Sequence, residues 1–396
     1  MIAEGAADNF YLTDADYNGF PFDRERNIYL WRNTAVDGDA GHWQRQYNSI
    51  LSCNVVLETI AANEYPNEIA LANSLKGRAL FHRASCLFNL LQLFAKAYHP
   101  NTANTDLGIP LRLSSDFEQE SKRNSIDACY AQIIADLKIA NALLEEKGFI
   151  ATRPDKINSY GLLSKVTLFK GDYEMSKLYA DSSLRLYSQL IDYNGLNKSS
   201  NTPFSRFNAE TIFYATGSFT VLSPTRSKIN PDLYQSYAVN DLRKDLFFRR
   251  NTDGTTYQFK GNYTGVNGTT LFTGLTTAEI LLNRAEALAR TNQLALAMDD
   301  LNMLLLKRYQ TGTYVAKTAN NEAEALDLIL LERRKELIFR GVRWYDLKRL
   351  NLDANWAVTL NKSVLGQNYT LLPNANRYVF PIPQEVIERG GLVQNE

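Results

Sequence analysis

Apolar positions recur at helical spacing over long stretches of this chain. From Trp43 they run through Tyr47, Ile50, Leu51, Val55, Leu57 and Ile60, and Pro66 follows, which predicts a helix. A second helix is predicted from about Glu68 to Tyr98, through Leu71, Leu75, Ala79, Phe81, Leu87, Leu91 and Phe94, and it must stop before Pro100. Ser125 is placed to cap a third, which carries Ile126, Tyr130, Ile133, Leu137 and Leu144.

Residues 156–190 read as a helical hairpin. Leu162, Leu163, Val166 and Leu168 line one helix, Gly171-Asp172-Tyr173 makes the turn, and Leu178, Ala180 and Leu184 line the next. The small residues Gly161 and Ala180 are expected to let these two helices approach closely. This is the shape of a tetratricopeptide-type hairpin, with a period of about 34 residues. A second copy reads at 277–309, with Leu282, Ala285 and Ala287 before the turn Thr291-Asn292-Gln293 and Leu294, Ala297 and Leu301 after it. The copies are not adjacent, so any solenoid is interrupted.

The remaining stretches have other patterns. Residues 1–42 are loop-like, with turn signals at Asn18-Gly19 and Pro21. Residues 191–276 are rich in Asn, Gly, Thr, Ser and Tyr. Short β-type runs, Thr211-Ile212-Phe213-Tyr214-Ala215 and Thr256-Tyr257-Gln258-Phe259, lie within them. A last helix is expected from Glu322 to Arg340, ending at Gly341, and residues 351–396 read as loops. The expected fold is therefore mostly α. Its helical hairpin scaffold occupies 43–190 and 277–350, the loop-rich, partly β subdomain 191–276, and the N-terminal loops 1–42 contribute to a ligand face.

Composition narrows the function. Lys+Arg and Asp+Glu number 43 each, a balance that disfavours nucleic acid as a partner. No apolar run approaches the roughly 18 residues of a membrane span. The N-terminus lacks the charged and apolar regions of a signal peptide. Cys53, Cys86 and Cys129 sit among apolar residues in predicted helices and read as buried small side chains rather than a disulfide framework or zinc site. The sequence has no P-loop, dinucleotide-binding glycine motif, G-x-S-x-G or H-E-x-x-H, and His82, mid-helix beside Phe81, reads as structural. Asp37 and Asp39 hint at a calcium loop, but Gly41 and Asn48 stand where further oxygen ligands are needed. No cofactor, metal or catalytic residue is expected.

The densest segment, from Leu331 to Arg349, holds seven basic residues. Glu332, Glu336 and Asp346 are interleaved with them and are expected to pair locally, while guanidinium groups beside Trp344 and Tyr345 suit cation–π packing. The segment reads as a latch that holds two helices at an angle, not as a basic binding face.

Glu332-Arg333-Arg334-Lys335-Glu336-Leu337, then Gly341-Val342-Arg343-Trp344-Tyr345-Asp346-Leu347-Lys348-Arg349, resembles the C-terminal signature of the SusD/RagB family, outer-membrane nutrient-binding lipoproteins of Bacteroidetes. The ending Phe380-Pro381-Ile382-Pro383-Gln384-Glu385, with Leu392 and Gln394-Asn395, is similar to its closing motif. Ile28-Tyr29-Leu30-Trp31, Trp43…Tyr47…Ile50…Asn54, Lys76 to Tyr98 and Gly108-Ile109-Pro110-Leu111 resemble earlier blocks in the same order. The resemblance implies a tetratricopeptide-like scaffold decorated by a ligand-binding subdomain and no catalytic residues. It also implies a place on the cell surface, over a SusC-like, TonB-dependent transporter that takes up glycans or, in some branches, peptides. Family members begin with a signal peptide, a lipidated cysteine and a further helix. An N-terminally truncated surface lipoprotein is therefore expected, with trimmed insertions and a smaller ligand.

The family's starch-binding member places an aspartate before a Phe-Tyr-Arg run, then a Trp and an Asn. Asp8-Asn9-Phe10-Tyr11 and Leu30-Trp31-Arg32-Asn33 resemble these, with Leu12 in place of the arginine and a shorter Trp–Asn spacing. The resemblance thus implies Asp8, Tyr11, Trp31 and Asn33 as ligand-binding residues, because aromatic faces stack on sugar C–H groups while Asp and Asn bind hydroxyls. For Trp31 a purely core role is the competing reading. The competing function is a scaffold whose helical groove binds a peptide or protein segment.

Overall fold

The computed structural model describes residues 1–32, 41–148 and 150–395. The N-terminal stretch, expected as loop, contains three short helices: α1 (Ile2–Ala6), α2 (Asp14–Asn18) and α3 (Asp23–Tyr29). Local capping accounts for α2, where the Thr13 side chain accepts from the Asp16 amide and the Asp16 carboxylate accepts from Thr13 in return. Apolar periodicity is invisible in segments this short.

The long helices form where the spacing put them. α4 (Gly41–Ala62) packs on α5 (Ile69–Phe94), and α5 packs on α6 (Ile126–Leu143), whose first turn is capped by Ser125. One buried arginine ties the three together. Arg83 of α5 donates to both carboxylate oxygens of Asp136 on α6, at 2.7 and 2.8 Å, and to Asn54 Oδ1 on α4 at 2.9 Å. Cys53 and Cys129 are buried and Cys86 half-buried, all as free thiols, and burial pushes the Cys86 thiol up to about 12.

The first hairpin is α7 (Lys156–Lys170) and α8 (Tyr173–Leu186). Its turn falls at Gly171, where φ is +79° and a side chain would be strained. The insertion contributes α9 (Pro231–Gln235) and α10 (Arg243–Phe247), and the second hairpin is α11 (Thr277–Arg290) and α12 (Leu294–Leu306). α11 packs on both α7 and α8, so the hairpins stack in space across the insertion that separates them in sequence. Gly161 serves that stacking rather than the α7–α8 contact expected of it. A Cβ there would lie 3.2 Å from Ile280 of α11 and 3.3 Å from Ile212.

The helix expected to run to Arg340 stops earlier. α13 (Glu322–Glu336) ends, the chain turns through Phe339 (φ +57°) and Gly341 (φ +78°), and α14 (Arg343–Leu350) follows. Trp344 is fully buried, stacked on Tyr378 with ring centres 4.7 Å apart, rather than under a guanidinium. The tail is not all loop. Leu360–Val364 pairs with Gln367–Leu371 across a two-residue turn at Leu365 (φ +53°) and Gly366 (φ +69°), and α15 (Gln384–Gly390) comes after. Gln394 then bonds both backbone groups of Ile382, and Asn395 donates to Phe94 and Phe380 carbonyls, which fastens the closing motif to the end of α5.

The insertion is built from small antiparallel pairs: Thr211–Phe213 with Leu275–Thr276, Thr216–Ser218 with Thr270–Phe272, and Phe248–Arg250 with Tyr257–Phe259. The first and third contain the runs read from sequence. Phe10–Tyr11 pairs with Lys228–Ile229, so the N-terminal segment and the insertion form one body.

A charged network joins this body to the scaffold. Fully buried Arg243 contacts Asp241, Glu332 and Glu336, and fully buried Arg308 contacts Glu336 and Glu210. The signature acids thus pair mainly over long range, where local pairing was expected. Asp346, with Arg333 and Arg349, and Glu332, with Lys335 three residues on, are the local pairs. Buried charges need such partners, because loss of one would leave the other uncompensated.

Candidate ligand-binding face

Asp8 is held by two arginines of the signature segment. Arg343 Nε and Nη2 donate to its two carboxylate oxygens at 2.7 and 2.9 Å, and Arg334 Nη2 lies 3.1 Å from Oδ2. Burial alone would raise this carboxyl, but the Arg343 and Arg334 guanidinium groups outweigh it and hold it well below the usual carboxylate range. Both oxygens are therefore committed to the fold, and Asp8 offers a ligand little.

Trp31 is also occupied. It is 4% exposed, at φ +55°, and its indole Nε1 donates to the Ala6 carbonyl at 2.8 Å. The Lys362 ammonium sits 4.5 Å from its ring and 4.0 Å from that of Tyr29, and donates to the Ala6 and Tyr29 carbonyls. At 4% exposure the ring has little open face for a sugar, and the structure places Trp31 in the core, around the same Lys362 ammonium as Phe10 and Tyr29. Asn33, and the acidic pair Asp37 and Asp39, lie outside the described residues.

Tyr11 has a different setting. It is half-buried, and Asp253 and Asp16 lie near enough to add to the effect of burial in raising its phenol. Its strand partner Lys228–Ile229 packs in turn against the strand Tyr257–Phe259. Tyr257 stacks on Tyr234 at 3.7 Å between ring centres and 17° between planes. Lys244 caps the Tyr234 ring at 4.8 Å, and Arg250 reaches the Tyr257 hydroxyl at 3.5 Å. The turn beside them is shaped by Asp253, whose Oδ1 accepts from the Thr255 and Thr256 amides at 2.7 and 2.8 Å. Half-buried rings edged by an aspartate, an arginine and lysines make a surface that suits a flat polar ligand with both C–H and O–H groups.

Of the three implied residues that are described, Asp8, Tyr11 and Trp31, Tyr11 alone is neither fully committed to ion pairs nor buried in the core. Tyr234 and Tyr257 had no signal of their own beyond the Tyr-rich composition of the insertion, because strand pairing with Phe10–Tyr11 is what brings their neighbourhood to it. A groove of about 580 Å³ elsewhere is lined by Trp43, Tyr47, Arg112, Phe117 and Arg389 among others. Its tryptophan is 6% exposed and packs on Tyr47 and Phe94, which leaves little free ring for stacking. Among the described residues, no cluster of three or more His, Cys, Asp or Glu could hold a metal ion, and no helix is long and apolar enough to cross a membrane.

Two family models match in succession. The first, described as starch-binding associating with outer membrane, matches residues 8–168, and the second, the SusD family, matches residues 170–396. A SusD-like protein P2 of Formosa agariphila is 25% identical over 419 residues, covering 89% of this chain and 79% of that protein. Among solved structures, a SusD superfamily protein from Bacteroides thetaiotaomicron superposes with a TM-score of 0.78 at 21% identity, covering 100% of this chain and 97% of the other. Surface glycan-binding protein A from Bacteroides uniformis superposes with a TM-score of 0.78 at 18% identity, covering 99% and 92%.

Proposed function

Because the chain belongs to the SusD/RagB family, we propose that it captures an oligosaccharide at the cell surface and passes it to a SusC-like, TonB-dependent transporter. In this reading it is a binding protein without catalysis, tethered to the outer membrane by a lipid. The observation that carries the sugar reading is the half-buried Tyr234–Tyr257 stack, on a strand that packs against Tyr11's partner strand, with the Asp253 turn and Arg250 at its edge. A pyranose ring would lie against the aromatic surface, and the charged groups would take its hydroxyls. In this reading Trp31 and Asp8 act through the fold: the tryptophan shares the Lys362 ammonium with Phe10, and the aspartate ties the N-terminal segment to α14. The matches lend weight, since one family model is described as starch-binding and one structural neighbour as glycan-binding.

Affinity on such a face is modest, because the rings stay partly hydrated and few contacts are fully buried, which suits capture followed by release. A glycan array probed with the purified chain tests the reading. Saturable binding to one glycan class is expected. An array without a hit, together with capture of peptides from an oligopeptide library, would replace the sugar with a peptide.

A further inference from the structure

Two rings of the insertion carry a guanidinium that has no ionic partner among the described residues. Arg206 Cζ lies 4.4 Å from the Phe207 ring centre and 4.7 Å from that of Tyr214, and the two ring centres are 4.7 Å apart. Tyr214 is half-buried and meets the core residue Phe272 edge-on, so the pair is anchored from within. Phe207 is 48% exposed and sits at φ +56°, a conformation that bulky side chains rarely adopt. The Asn208 side chain shapes this turn, donating to the Ser205 carbonyl and accepting from the Glu210 amide, both at 3.1 Å. A turn that keeps a phenylalanine strained and outside the core points to a use for the ring at the surface.

A second cation stands close by in the fold. Lys147 Nζ lies 4.6 Å from the Tyr187 ring centre, and the Tyr187 hydroxyl donates at 2.7 Å to the carbonyl of Ala209, next to Asn208. The Tyr214 amide donates to the Ala151 carbonyl at 2.7 Å, which brings the segment carrying Lys147 to the same place. The acids of these segments leave the cations uncompensated. Glu145 pairs with Arg78, Glu210 is buried against Arg308, and Glu146 is exposed. Among the described residues neither Arg206 nor Lys147 is ion-paired, and the Arg206 guanidinium makes no hydrogen bond, so its donors are all available.

We propose that Arg206, Phe207 and Tyr214 form a second sugar site, specific for a uronic acid residue of the captured glycan. The C–H face of the pyranose would rest on the exposed Phe207 ring. Its carboxylate would take two parallel hydrogen bonds from Arg206, with Lys147 adding positive field. Stacking on two rings holds the guanidinium plane before the ligand arrives, which lowers the ordering cost of a long side chain. A neutral sugar would leave the charge unused, and an acidic peptide would leave the ring without a flat C–H face. Arg206 also lines a groove of about 740 Å³ with Leu196, Phe204, Asn208 and Val266, which gives a ligand longer than one ring room to continue. The proposal rests on the glycan reading and adds to it a sugar class and a site that shares no residue with the Tyr234–Tyr257 stack.

Titration calorimetry of the whole chain with short oligomers of galacturonate, glucuronate and mannuronate, each beside its methyl ester, tests it. At least one acid oligomer should bind saturably, and its ester, which keeps the ring and loses the charge, roughly tenfold more weakly. Arg206→Gln should remove that preference and leave ester binding unaltered, while Phe207→Ser should weaken acid and ester alike. Both side chains are exposed, so both variants should keep the wild-type melting temperature. Tyr257→Ala should leave the acid-to-ester ratio as it is. Equal affinities for acid and ester, or a preference that survives Arg206→Gln, overturns the proposal. So does failure of all three acids while a neutral glycan binds, and the capture reading then stands without this site. No binding to any glycan would sink both. A glutamate oligopeptide that binds as tightly as the uronates, and is lost in Arg206→Gln, also overturns it, because the site then reads charge and not sugar.

Discussion

Arg343 grips Asp8 through two parallel hydrogen bonds, although 335 positions separate the two residues in sequence. The pair fastens the N-terminal segment to the start of α14, and Arg334 adds a bond to the Asn9 side chain and another to the Asp8 carbonyl. Both partners are largely buried, and removing Arg343 leaves Asp8 with Arg334 alone to compensate its charge. Such losses typically cost about 3–5 kcal/mol, and partial solvent access puts this pair near the lower end. Arg343→Ala should therefore lower the melting temperature clearly and leave the ligand affinity of the folded fraction intact. An unaltered melting temperature with lost binding would move Arg343 from the fold to the site.

Trp31→Ala should act on stability before it acts on binding. The substitution removes a buried ring, its bond to Ala6 and one of the aromatic walls around the Lys362 ammonium. Large aromatic-to-alanine changes in cores cost about 3–5 kcal/mol. Denaturant titration should show a lower midpoint with little change in slope. Wild-type stability would mean that the ring is not packed as described.

The scaffold was legible because its helices are long enough for periodicity to accumulate and because their caps are chemical: Ser125, Asp172 and Gly171 all stand where the sequence suggests an end or a turn. The C-terminal hairpin was not legible. Its turn is Leu365-Gly366 rather than an Asn-Gly or Asp-Gly pair, and its inward face reads Leu360, Lys362, Val364, so a buried lysine interrupts the apolar alternation. The motif named Asp8 and Trp31 as ligand residues, but whether such a side chain faces solvent or is taken up by the fold depends on partners hundreds of residues away, here Arg343 and Lys362. Tyr234 and Tyr257 lacked any motif at all.

Acid should destabilise the protein through Glu286. This carboxylate is buried between the Arg349 guanidinium, at 2.7 Å or closer, and Arg290 at 3.2 Å. Burial pushes it up, but Arg349 and then Arg290 prevail and bring it down to about 2 from its ordinary 4.5. A carboxyl depressed in the folded state binds its proton less readily than in the unfolded chain. Its stabilisation is complete above about pH 4.5 and is lost as the pH falls from there towards 2. The shift corresponds to roughly 3 kcal/mol. Glu286→Gln should flatten the stability profile across that window and lower stability at neutral pH. A profile as steep as that of the wild type would assign the acid sensitivity to other carboxylates.

The proposed binding face is tested at Tyr257. The residue lies on a short paired strand, half-buried, and its ring is stacked on that of Tyr234. Truncating it exposes the outer side of Tyr234 without opening the core, so the fold should persist with a small change in melting temperature. A sugar that rests on the stacked pair loses most of its aromatic contact, and affinity should fall roughly tenfold. Titration calorimetry with the glycan found by array screening measures this on the wild type, on Tyr257→Ala and on Tyr257→Phe. The phenylalanine variant keeps the stacking surface and loses only the hydroxyl, so it should bind within about threefold of wild type if stacking dominates. Equal affinities for wild type and Tyr257→Ala, with circular dichroism showing both folded, would send the search to the groove lined by Trp43, Tyr47 and Phe117.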